Sequence, residues 1–84
     1  MAMSEKERIE KDLREFAESL AEVEKTSKSK DERLERAICY FKDTKFFFEK
    51  GDLFTAWGTI NYAHGLLDAV RMEIGLGGYG AIKD

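Results

Sequence analysis

His64 is the only histidine in this 84-residue chain, and Asp68 follows it by four positions. On a helix that spacing sets one side chain above the other. An aspartate that orients an imidazole is the arrangement of a general base, or of a metal-binding histidine. Trp57 and Asn61 precede the pair, so that Trp57, Asn61, His64 and Asp68 form a stripe at 4-3-4 spacing. The same four residues have a plainer reading, a polar seam inside a helical bundle whose groups satisfy one another. Catalysis needs more than this stripe offers. No nucleophile stands at a useful spacing, and Thr59 and Tyr62 fall in another sector of the helix. No catalytic residue is assigned, and the stripe is read as structural.

Other chemistries are weaker. One histidine and one cysteine, Cys39, give no zinc-type ligand spacing, and Glu15, Glu18 and Glu22 read as a solvated face, so neither a metal nor a cofactor is expected. Gly75, Gly77 and Gly80 match the dinucleotide pattern G-x-G-x-x-G in letters only. That motif needs a strand before it and a helix after it, whereas here a helix precedes it and four residues follow. The Arg-x4-6-His signature of helical nuclease domains is missing, because the nearest arginine before His64 is Arg36.

The elements that position these residues are helices. The chain has no proline, and no glycine before Gly51, which favours helix throughout. Ser4 and Glu7 make a capping box for a first helix reaching about Lys25. Its apolar residues Ile9, Leu13, Phe16, Leu20 and Val23 form a narrow heptad-like stripe. Ser29 or Asp31 can cap a second helix that runs to Lys50, with Leu34, Ala37, Ile38, Phe41, Thr44 and Phe48 on its apolar arc. Phe46 falls on the charged side, in the sector of Cys39.

Gly51 suits the left-handed turn that ends a helix, and Asp52 can cap the next one. So short a link predicts an antiparallel hairpin of the second and third helices. The third helix, from Leu53 to about Ile74, puts Leu53, Ala56, Ile60, Ala63, Leu67, Val70 and Ile74 on one face. Gly58 and Gly65 lie nearly opposite, leaving Thr55, Thr59, Tyr62, Leu66 and Glu73 for solvent. Interior glycines cost a helix about 1 kcal/mol each. The return they imply is close approach of another helix, either the first or one from a second subunit.

The stretch "ERAICYFKDTKFFFEKGDLFTAWGTINYAHGLLDAV" resembles an archaeal family, domain of unknown function number 357. The shared pattern runs through Glu35-Arg36-Ala37, Tyr40-Phe41 and Glu49-Lys50-Gly51-Asp52. It continues through Ala56, Gly58, Ile60 to Gly65, and Leu67-Asp68-Ala69. The resemblance spans about 36 residues, and Leu66 stands where the family pattern has tryptophan. It implies a short all-helical domain and no particular activity.

Charge and length bound the rest. The net charge of −3 argues mildly against nucleic acid as a partner. A local basic excess among Lys25, Lys28, Lys30, Arg33 and Arg36 reads as a solvated helix junction. A single cysteine and the lack of an apolar run long enough for a span predict a cytoplasmic protein with no membrane partner.

The expected architecture is all-α, a three-helix bundle in one domain over 1–75, with a flexible glycine-rich tail over 76–84. The expected role is a small non-enzymatic interaction module that self-associates, as a dimer or with another protein, near Phe46 or the Gly58/Gly65 face. The alternatives are a ligand-binding or enzymatic site on Asn61, His64 and Asp68, and an RNA-associated accessory domain using the basic junction.

Overall fold

The computed structural model describes residues 3–26 and 31–78. They form three α-helices and nothing else regular: α1 (Glu5–Glu24), α2 (Glu32–Glu49) and α3 (Leu53–Glu73). The boundaries follow local chemistry. Ser4 Oγ accepts from the Glu7 N–H, and the Glu7 carboxylate accepts from the Ser4 N–H, which closes the capping box. Asp31 caps α2 by accepting from Arg33 N–H at 2.8 Å; Ser29, the other candidate, lies outside the described residues.

Gly51, at φ 81°, ends α2. Its N–H donates to Phe48 O, and the next N–H, of Asp52, donates to Phe47 O. These paired bonds make a Schellman motif, which needs a left-handed residue that glycine adopts without strain. Asp52 then caps α3 by accepting from Thr55 N–H.

The hairpin is antiparallel. Tyr40 meets Tyr62 at a ring-centroid distance of 4.7 Å, Thr44 bonds Thr59 hydroxyl to hydroxyl at 2.7 Å, and Arg33 pairs with Glu73. α1 lies along the hairpin parallel to α3, as the contacts Asp12–His64 and Ser19–Arg71 require. Phe16 locks the three helices together: it stacks on Phe41 of α2 at 4.6 Å and meets His64 of α3 edge-on at 5.5 Å. Around it Val23, Leu34, Ala37, Ile60, Ala63, Leu67 and Val70 form the buried core. Burying one such aliphatic side chain contributes about 1.5–3 kcal/mol, so this short row of contacts is what holds α1 in place.

The apolar stripe of α1 lies where its spacing predicts: Ile9, Phe16 and Val23 are buried, Leu13 and Leu20 pack half-buried against the core, and Ser19 joins them. One expectation needs correction. On α3, the sector left for solvent borders α2: Thr59 bonds Thr44 and Leu66 is half-buried, whereas Tyr62, packed on Tyr40, and Glu73, paired with Arg33, stay exposed.

Candidate functional site

The structure divides the Trp57–Asn61–His64–Asp68 stripe in two. His64 is 3 % exposed and Asp68 fully buried, while Trp57 is 48 % exposed and Asn61 is exposed. The cause is the landing of α1, which covers α3 from His64 onward on that side and leaves Asn61 open. Asn61 does not reach the imidazole, because its amide donates to Trp57 O on its own helix at 3.0 Å.

His64 turns away from Asn61 and toward α1. Its Nε2 lies 2.9 Å from the backbone carbonyl of Asp12, so Nε2 carries the proton and donates. Nδ1 is buried and has no hydrogen-bond partner among the described residues. Burial pushes the Asp12 carboxyl above the ordinary range. Charge on His64, Lys11 and Arg8 pulls it down, and Glu15 adds to the rise.

One helical register further on stands Arg71, only 4 % exposed. Its guanidinium donates to the Glu22 carboxylate at 2.5 Å, to Ser19 O at 3.4 Å, to Gly77 O at 2.8 Å and to Leu76 O at 3.5 Å. A buried guanidinium with five donors needs such a set of acceptors. Arg71 therefore clamps α1 and the segment after α3 onto the same point. Gly75, at φ 87°, turns the chain for this: its N–H donates to Met72 O and that of Leu76 to Arg71 O, a second Schellman motif. The stretch expected to be a tail is thus held at Leu76 and Gly77, and residues 79–84 lie outside the described part.

Asp12, Ser19, Glu22 and Arg71 complete a polar seam that sequence reasoning opened with His64 and Asp68 and did not finish. Arg71 was within reach, since it continues the stripe as 57-61-64-68-71. The acceptors were not, because two of them are backbone carbonyls. Neither His64 nor Asp68 lines the cleft between the starts of α1 and α3, and both are buried, so the seam orders helices.

The open features lie elsewhere. A cleft of about 350 Å³ sits between the starts of α1 and α3, lined by Glu5, Arg8, Ile9, Leu53, Phe54 and Trp57. Phe54 is 86 % exposed at its rim. Gly58 is exposed and Gly65 half-buried, and a Cβ built on either meets nothing within 4 Å. The first of the two partners considered for these glycines, α1, therefore does not approach them. Phe46 is 55 % exposed, with the Lys50 ammonium 5.5 Å from its ring centre. In the basic junction Arg33 is neutralised within the fold, paired with Asp31 at 2.7 Å and with Glu73; Lys28 and Lys30 lie outside the described residues. No cluster of three or more metal-binding side chains occurs among the described residues, and none of their helices is long and apolar enough to cross a membrane.

The sequence profile of one family, described as "Protein of unknown function (DUF357)", matches residues 7–76. The chain belongs to this family, and the match extends across α1 as well as the hairpin. No curated protein and no solved structure matches the chain at a significant level.

Proposed function

We propose that this member of the DUF357 family is a non-enzymatic helical interaction module that pairs with a second copy through the outward face of α3. One observation carries the reading. In a chain that is 37 % charged, the side of α3 facing away from the core presents Phe54, Gly58, Asn61, Gly65 and Met72 in heptad-like order, with no charged side chain among them. The charged residues of α3 lie elsewhere: Asp68 and Arg71 are buried, and Glu73 pairs with α2. A surface helix normally turns a charged face to water. Two glycines that no part of the described chain approaches add to the argument, since glycine weakens a helix interior and favours close backbone contact.

Of the two surfaces expected to associate, this face is favoured over Phe46, whose ring already has Lys50 over it. The burial of His64 and Asp68 beneath α1 also favours an interaction module over an enzyme. Sedimentation or light scattering from low to high micromolar concentration tests the reading. The mass should rise to that of a dimer, and Gly58→Leu with Gly65→Leu should return it toward the monomer while far-UV circular dichroism stays unchanged. A strictly monomeric mass at high micromolar concentration would overturn the proposal.

A further inference from the structure

A helix laid against a helix covers too little. The outward face of α3 is a strip roughly 30 Å long and 10 Å wide, whereas a stable pair of proteins buries about 800 Å² per partner. Something beside the strip must contribute, and the N-terminal end of α3 holds both halves of a fitting contact. Phe54 protrudes, 86 % exposed. It borders the cleft of about 350 Å³ between α1 and α3, whose other lining residues are Glu5, Arg8, Ile9, Leu53 and Trp57.

Resting on the self-association proposed above, we infer that Phe54 of each copy seats in this cleft of the other, against Ile9, Leu53 and Trp57. The two features lie side by side, so one twofold axis running along α3 satisfies both contacts at once, as an isologous interface requires. The space suffices for one benzyl group. An aromatic side chain brings about 150–250 Å² of surface to such a contact. Two rings and the two cleft walls they cover therefore add several hundred Å² to the helix strip. Gly58, one turn beyond Phe54, has open space over its Cα, so the backbones can approach where the rings exchange. Because this axis runs along α3, each helix meets its copy residue for residue, and the strip and the ring exchange belong to one contact.

Trp57 is the only tryptophan, so its emission reports on the cleft directly. In the wild-type chain the emission should shift to the blue as concentration rises, in step with the mass. Phe54→Ala should weaken dimerisation at least tenfold and abolish the shift, without altering the fold, because the side chain touches little in its own chain. A Phe54→Ala variant that dimerises and shifts as the wild type does overturns the seating. If Gly58→Leu still disrupts that dimer, self-association through α3 stands. A wild-type chain that never dimerises overturns both. A blue-shifted emission that is present at every concentration and is lost on extraction with organic solvent also overturns the seating, because a small apolar molecule then fills the cleft.

Discussion

Asp12 and His64 stand 52 positions apart, yet the backbone carbonyl of one and the imidazole Nε2 of the other are 2.9 Å apart. The bond joins the middle of α1 to the middle of α3. It leaves Nδ1 buried and unpartnered, and an unpaired buried polar atom costs about 1–3 kcal/mol.

That cost makes His64 a test of its own role. His64→Ala removes the bond and opens a cavity beside Phe16, and should lower stability by about 2–3 kcal/mol. His64→Leu removes bond and orphan together while filling most of the space. The Asp12 carbonyl keeps its bond within α1, so this variant should be neutral or more stable. Thermal unfolding of both decides the matter. A large loss in His64→Leu would mean that the imidazole makes a contribution beyond packing.

Asp12 gives a pH dependence whose sign can be worked out. Burial holds its carboxyl above the ordinary 3.8, so the folded chain binds this proton more tightly than the unfolded chain. Its contribution to stability is full below pH 3.8 and is lost as pH rises through the raised value. Asp12→Asn should therefore melt higher than the wild type at pH 7, and the difference should shrink as pH falls toward 3.8. Glu7 acts oppositely. Its bonds to Ser4 hold its carboxyl below 4.5, so the stability it lends is present above pH 4.5 and fades on acidification. Melting curves from pH 3 to 7 of Asp12→Asn and Glu7→Gln should diverge from the wild type in opposite directions.

Arg71 and Glu22 should couple. Arg71→Met strips the clamp from Ser19, Glu22, Leu76 and Gly77, and should cost about 2–4 kcal/mol, near the range for breaking a buried pair. Glu22 is half-exposed, so Glu22→Gln should cost less, about 1 kcal/mol. In the double variant the two losses should fall short of their sum. Denaturant titration of the cycle measures this; strict additivity would remove the ion pair from the account of how α1 is held.

Gly58 and Gly65 should be easy to improve in the isolated chain. With nothing within 4 Å of a built Cβ, Gly58→Ala and Gly65→Ala should each add about 0.5–1 kcal/mol through helix propensity. The gain is to be read at low concentration, where association does not contribute. A loss there would show that the described chain already packs against one of them.

The fold was legible because its punctuation is local. Ser4 with Glu7, and Gly51 with Asp52, mark helix ends by chemistry confined to a few neighbouring residues. The absence of proline removes competing breaks. The site was half legible. Trp57 and Asn61 share a stripe with His64 and Asp68 on any helical projection, and only the position of α1 decides which pair is covered. That position depends on Phe16 meeting Phe41 and His64 together, a tertiary fact that periodicity does not encode. The partners of His64 and Arg71 were hidden for another reason: every residue carries a carbonyl, so Asp12 and Ser19 bear no letter that marks them as acceptors. Thr59 escapes the solvent sector because the hairpin covers a broader part of α3 than its apolar face suggests, whereas Tyr62 packs on Tyr40 and stays half exposed.

Three ion pairs, Arg33 with Asp31, Arg33 with Glu73 and Arg71 with Glu22, lie at one end of the bundle. Phe54 and Phe46, the two most exposed large apolar side chains among the described residues, lie with Trp57 toward the hairpin turn at the other. The molecule is thus polarised along its length, and its two ends answer ionic strength in opposite senses. Added salt screens the charged end and loosens it slightly. A salting-out anion such as sulfate strengthens whatever contact the aromatic end makes. One solution variable therefore separates what holds the bundle closed from what the bundle holds.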